Sequence, residues 1–149
     1  MGLLKEYDPK EVIITWDGVT LNEGIAEGTF VTVARTTRTW THNTGGDGGT
    51  TRVKGNDRTG TTTVTLRMGS STNEALASRA QDEELDPPVS HVAPLLIQDF
   101  NGNTLHSDAE AHLDGPANDE FATTEGNREW VLLCPNLVMS SGGNKDAAA

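Results

Sequence analysis

Residues 41–68 read THNTGGDGGTTRVKGNDRTGTTTVTLRM, and the fold turns on how this stretch divides. Its end, TTTVTLRM, sets Val64, Leu66 and Met68 on one face and Thr63, Thr65 and Arg67 on the other. That is the period of two expected of a half-buried strand. Its beginning is the opposite, because from His42 to Thr59 the only sizeable apolar side chain is Val53. A segment of that composition cannot fill its own core, so the sequence predicts a core strand preceded by an extended polar loop over residues 42–59.

Upstream, EVIITW crowds β-branched residues ahead of Asp17-Gly18 and VTL, the pattern of a hairpin. GTFVTVARTTRTW reads as a strand with both faces in use. Downstream, SSTNEALASRAQDEEL changes period. Ser71 and Glu74 have capping-box spacing, and Leu76 and Ala80 share a helical stripe, so one short helix is expected before Pro87-Pro88. HVAPLLIQDF and TLHSD flank the turn Asn101-Gly102-Asn103, with Pro94 restricting its strand to an edge or a break. FATTEGNREWVLLCPNLVM reads as a last hairpin turning near Gly126-Asn127.

The reading is mainly β: seven or eight short strands in a β-sandwich or partly closed β-barrel with one flanking α-helix. The 149 residues fit a single domain, 1–149, with the extended loop at 42–59 and a polar C-terminal tail at 140–149. With 34% hydrophobic and 5% aromatic residues the core is lean, which leaves room for neighbouring subunits to bury part of the surface. Cys134 is the single cysteine, so no internal disulfide is expected. MGLLKEYDPK has no apolar core of signal-peptide length, Glu6 stands where a myristoylation signal needs Ser or Thr, and no apolar run approaches the ~20 residues that span a bilayer. No membrane anchor is therefore expected.

Candidates for chemistry fail one by one. His106 and His112 bracket Asp108 and Glu110, but a strand over 104–108 would leave His112 past its end, which argues against zinc. Asp99, Asn101, Asn103 and Glu110 match positions of a calcium loop, yet Thr104 stands where the bend needs glycine. The glycines of TGGDGG lack the Lys-Ser or Lys-Thr pair and the following helix of a phosphate loop. No serine sits in a nucleophile elbow, and the catalytic set, like the metal and cofactor sets, is read as empty. The chain is not expected to be an enzyme.

Charge is the informative feature. The formal net charge is -11, which argues against a surface built to neutralise nucleic-acid phosphates. Yet Arg35 to Arg67 holds six bases against Asp47 and Asp57, a local +4, while the remainder carries -15. A basic protrusion and an acidic body favour head-to-tail contact between copies, and such a contact continues as a stack unless rotation closes it. Arg52, Lys54, Arg58 and Asp47 are the candidate contact residues between stacked layers, which would explain a loop too polar for its own core.

The stretch Gly24–Glu83 also resembles the tail tube proteins of contractile-tailed bacteriophages. The resemblance rests on the Gly-x-Phe-Val strand, the Gly-x-Asp-Gly loop followed by Arg52, the alternating Thr/Val/Leu strand, and Ser71-x-Asn73-x-x-Leu76 opening the helix. It extends loosely through DFNGNT and REWVLL to Gly-Gly-Asn near the end; the extra glycine pair around Asp47 and the short alanine tail depart from it. The resemblance implies hexameric rings stacked head to tail into the hollow inner tube of a virion tail, made in the host cytoplasm. The implied partners are other copies of the chain, the sheath, and baseplate and tail-terminator proteins. Tape-measure protein and DNA would pass through the lumen without specific binding. Acids facing that bore would repel phosphates over a Debye length of about 8 Å, and Glu11, Glu23, Glu27, Asp99, Glu125 and Glu129 are the lumen candidates. The other reading of the same strands is a β-sandwich binding module of a phage baseplate or a capsid decoration protein.

Overall fold

A computed structural model describes residues 4–146, so the last three residues of the polar tail lie outside the described part. The chain is mainly β with one helix. In order, a short 3-10 turn (Pro9–Glu11) leads into β1 (Val12–Trp16), β2 (Val19–Thr20), β3 (Val31–Arg35), β4 (Trp40–Thr44), β5 (Thr50–Lys54) and β6 (Gly60–Arg67). Helix α1 (Thr72–Glu83) follows, then β7 (Ala93–Asp99), β8 (Leu105–Leu113), β9 (Asn127–Cys134) and β10 (Val138–Ser140). Eight strands form one antiparallel sheet in the order β2-β1-β7-β8-β9-β6-β3, with β10 beside β8; β4 and β5 pair only with each other. The eight-stranded sheet does not close into a barrel.

Alternation decides which residues enter the core. Val12, Ile14 and Trp16 of β1, Leu95 and Ile97 of β7, Ala111 and Leu113 of β8, Trp130, Leu132 and Cys134 of β9, and Val64 and Leu66 of β6 join one apolar cluster. The helix adds Leu76 and Ala80, the stripe read from the sequence. Each large aliphatic side chain buried there contributes about 1.5–3 kcal/mol. The indole nitrogens are satisfied: Trp16 donates to the Ala111 carbonyl at 3.0 Å, and Trp130 to Asn73 Oδ1 at 2.9 Å. Asn73 in turn donates to the Arg67 carbonyl, which ties the first turn of α1 to the end of β6.

The sheet bends at β8. Its first residues pair with β10 and its last, His112 and Leu113, pair with β9, while its other edge follows β7. The register shifts between Ala93 and Leu95, so Ala109 and Glu110 bulge opposite Pro94. Pro94 thus sits in an interior strand, where the bulge removes the need for its missing N–H; this corrects the edge placement but agrees with a break. Asp108 stabilises the bend from inside, because its carboxylate accepts from the Glu110 N–H and the Asn136 N–H, both at 2.7 Å.

Several local expectations are corrected. The capping box does not form: the Ser71 side chain makes no cap bond, and Ser70 Oγ instead accepts from the Thr72 N–H while donating to the Glu23 carbonyl. Residues 121–126 are not a strand, so there is no hairpin at Gly126-Asn127; β9 pairs with β6 along its length. On β3, Val31, Val33 and Arg35 are half-buried, but Thr32 and Ala34 are exposed, so only one face is in use. His112 lies inside β8 rather than past its end, and the bulge turns it outward while His106 faces in. The Asp17-Gly18 turn forms as read, with both residues at positive φ (50° and 74°), as a tight hairpin requires.

Two polar clusters lock the periphery. The buried Asn101 binds the Asp8 backbone on both sides, accepting its N–H at 2.7 Å and donating to its carbonyl at 2.8 Å. The Asn101 carbonyl accepts from the Lys145 N–H, and Lys5 pairs with Asp146, so one turn residue holds both ends of the described chain. The polar tail up to Asp146 is therefore fastened by its own subunit. At the other cluster, Asp17 Oδ2 receives Arg79 Nε at 2.6 Å and His91 Nδ1 at 3.1 Å, and Asp82 meets His91 Nε2 at 2.8 Å. An imidazole facing carboxylates through both nitrogens is favoured as the cation. The bond to Asp82 chiefly raises the His91 pKa, partly opposed by desolvation and aided by Asp17.

Two measurements test these locks. Asn101→Ala should lower the urea-unfolding free energy by about 2 kcal/mol, with faster amide exchange near Asp8 and Lys145. For His91 the raised folded pKa means that its stabilisation is fully present below about 6.5 and is lost as pH rises through the higher folded value. Tm should therefore fall between pH 6 and 8.5 in wild type, with a shallower fall in His91→Gln; equal slopes would contradict the cationic clamp.

Candidate functional site

The ladder between β3 and β6 does not stop at the sheet. Arg35 pairs with Gly60, the Thr36 N–H donates to the Thr59 carbonyl, the Gly55 N–H donates to the Thr39 carbonyl, and β4 and β5 continue outward. The polar excursion is thus the distal half of a two-stranded ribbon. Its root is set by close packing, since a Cβ at Gly60 would run into Leu137 and the Ala34 carbonyl. Asp57 fastens the neck, accepting from the Thr59 N–H at 3.0 Å, the Thr59 hydroxyl at 2.7 Å and the Thr37 hydroxyl at 2.8 Å. These bonds, Thr59 N–H first, hold the Asp57 carboxyl down at about 2.

All ten residues of β4 and β5 are exposed. Cross-strand partners point to the same side of a ribbon, so the register gives the hairpin two unlike faces. Trp40 opposite Lys54 and His42 opposite Arg52 share one face; Thr41 opposite Val53 and Asn43 opposite Thr51 share the other. One face is cationic and aromatic, and the other is uncharged. Arg52 lies 3.6 Å from the centre of the Trp40 ring, a cation–π contact that keeps its charge spread over this face. The tip, Gly45 to Gly49, is slender, and Asp47 closes it by accepting from the Gly49 N–H at 3.0 Å.

The acids gather at the far end of β6, about 23 Å away at ~3.3 Å per residue. Glu23, Glu27 and Glu125 surround Arg67 there, with Glu125 paired to Arg67 Nη2 at 2.9 Å and accepting from the Gly69 N–H at 3.2 Å. The pairing with Arg67 lowers the Glu125 pKa, and the Gly69 N–H adds to it. Beside them a cleft of about 840 Å³ opens on the outer face of β6 and β9, lined by Asp114, Asp119, Glu120 and Glu129 around Thr65 and Val131. Among the described residues, Asp119 is the only one of these four acids in an ion pair, with Arg128 at 2.8 Å.

The sequence-derived residues therefore fall into separate places. Arg52, Lys54 and Asp47 are on the exposed hairpin. Arg58 is at its neck, where its guanidinium donates to the Gly55 carbonyl at 2.9 Å, an intrachain use not foreseen in a contact residue. Arg67, counted with the basic stretch, stands at the acidic end. Of the lumen candidates, Glu11 and Asp99 adjoin where β1 begins and β7 ends, Glu23, Glu27 and Glu125 cluster about Arg67, and Glu129 lines the cleft. Trp40, His42, Asp114 and Glu120 were missed; the spacing of Trp40 and His42 against Arg52 and Lys54 about the glycine turn was the available signal for the first two.

Among the described residues no group of three or more His, Cys, Asp or Glu side chains is placed to hold a metal ion. Burial raises the Cys134 thiol and lowers His106, leaving both neutral within the core. No described helix is long and apolar enough to cross a membrane.

The arrangement defines a class first: a mainly β, single-helix protein whose unlike charges lie at opposite ends of one strand pair. The comparisons then give its likenesses. The chain is 27% identical over 149 residues to structural protein ORF10 of Pseudomonas phage KPP10, covering 97% of this chain and 86% of that one. Its fold is shared with the tube-terminating cap of the anti-feeding prophage, at TM-score 0.58 and 8% identity over 95% of both chains. It is also shared with the sheath/tube terminator of an extracellular contractile injection system (PVC) in the extended state, at TM-score 0.59 and 10% identity over 94% of this chain and 100% of that one. No family model matches the sequence.

The Asp57 fastening gives a direct check. Because its folded pKa lies below the unfolded value near 3.8, its stabilisation is present above that value and is lost as pH falls through about 2. The Thr59 amide shift should titrate with a midpoint near 2 and not titrate in Asp57→Asn; a midpoint near 4 would mean that the neck bonds do not form.

Proposed function

We propose that the chain is a non-enzymatic structural protein of a contractile phage tail, and more specifically that it stacks as hexameric rings into the inner tube that conducts DNA into the host. The observation that carries this reading is the polarity of the β3–β6 ribbon, with an uncovered cationic hairpin at one end and clustered acids at the other. Such a subunit offers unlike surfaces along one axis, so repeated head-to-tail contact extends a column. The likeness to a phage structural protein along nearly the whole chain supports the virion assignment.

In this assembly the chain's partners are its own copies, the sheath around the tube, and the baseplate and terminator proteins at its ends. Tape-measure protein and DNA occupy the bore without being gripped, and a net charge of -11 suits that role because a negative wall keeps phosphates hydrated and mobile. A second reading is a capping ring that ends a tube, favoured by the terminator structures that share the fold. The reading as a baseplate or capsid decoration module lacks a comparable observation.

Electron microscopy of the purified protein across a concentration series separates the three. Hollow tubes of indefinite length are expected. Single rings that never stack would favour the cap, and dispersed monomers at high concentration would reject both.

A further inference from the structure

Three features of the molecule call for a partner: the outward face of β7, β8 and β10 with Leu96, Leu105 and Val138 exposed; the acidic cleft over β6 and β9; and the cationic face of the β4–β5 hairpin. The first has nothing to say what covers it. The second and third answer one another.

We propose that the acidic cleft lined by Asp114, Glu120 and Glu129 is the receptor for the cationic face of the β4–β5 hairpin of a second copy of this chain. The proposal rests on the stacking reading and adds the address of the contact. It places Glu129 at the seam between layers rather than in the bore.

Three observations carry it. An isolated two-stranded hairpin is at best marginally stable in water, and all ten strand residues here are exposed, so a partner surface has something to contribute. The hairpin is cationic on one side only, through Arg52 and Lys54, which selects an acidic receiver and fixes which side meets it. Glu120 and Glu129 are exposed, as is Asp114, and among the described residues none is in an ion pair within the chain. The cleft covers the Thr63–Arg67 half of β6 and the hairpin extends from its Gly60 end, so one copy does not bring the two together, whereas translated copies can.

The acids also explain the tip. Asp47 would be repelled by the cleft if the tip entered it head-on, but the glycine turn folds its carboxylate back onto the Gly49 N–H. The ribbon therefore meets the cleft along its flank, with Trp40 backing Arg52 as both are dehydrated.

Charge exchange tests this on the full chain. Arg52→Glu/Lys54→Glu and, separately, Asp114→Lys/Glu120→Lys/Glu129→Lys should each raise the concentration needed for assembly by about tenfold or more, read by sedimentation velocity and electron microscopy. Near-UV circular dichroism checks that each remains folded, and the milder Arg52→Gln/Lys54→Gln pair gives a smaller shift of the same sign if the reversed hairpin loses its ribbon. An equimolar mixture of the two reversed proteins should assemble again at near the wild-type concentration. Normal assembly of the cleft variant beside failure of the hairpin variant would overturn the cleft assignment and leave stacking intact. Wild-type protein that never assembles would remove both. Retention of a DNA duplex by the unassembled wild type, lost with Arg52→Glu/Lys54→Glu, would overturn the proposal by assigning the cationic face to nucleic acid.

Discussion

The structure depends on an antiparallel pairing that begins in the core with β3 and β6 and, beyond a neck at 36–39 and 55–59, resumes in solvent with β4 and β5. From Val31 opposite Val64 to Arg35 opposite Gly60 it is part of the main sheet; from Trp40 opposite Lys54 to Thr44 opposite Thr50 it stands outside it. Backbone hydrogen bonds satisfy both halves equally, but apolar burial favours only the inner one. The outer half is therefore held by its root at Gly60, its neck at Asp57 and the Arg52–Trp40 contact, none of which gives it a covered face. Every functional conclusion follows from that uncovered length and from the charge it carries.

The rest of the fold gives the inner half of this pairing a stiff base. The bulge of β8, filled from inside by Asp108, bends the sheet so that β1, β7, β9 and β6 enclose one core with α1. Trp130 and Asn73 brace the end of β6 nearest the acids, while Leu137 packs at the end nearest the hairpin. Charges fixed at the two ends of such a frame cannot drift together. Exposed pairs such as Arg67 with Glu125 contribute little to stability by themselves, so their value lies in the field they present.

Much of this was legible in the sequence because alternation is a local signal. TTTVTLRM, EVIITW and the helical stripe of Leu76 and Ala80 report burial directly, and the mainly β, one-helix class follows from them. The sequence reading failed where structure is set by distant partners. Pro94 reads as an edge residue until the bulge opposite it is known, and the stretch after Gly126 reads as a hairpin because the eight-residue match of β9 to β6 is non-local. The cap position at Ser71 agrees with the sequence, but the side-chain bond comes from Ser70, since the two serines are chemically alike and only the Glu23 carbonyl distinguishes them. At the site, linear charge counting found the basic hairpin, but it placed Arg67 on the wrong end and missed the cleft, whose acids come from β9 and from the segment after β8.

The central claim is that β4 and β5 are completed by another copy of the chain, and hydrogen exchange measures it directly. Amides of the segment 40–54 should exchange rapidly in dilute protein and become protected as concentration rises, while those of β6 and β9 stay protected throughout. Protection of the hairpin that is the same at every concentration, or rapid exchange that persists in assembled material, would contradict the account.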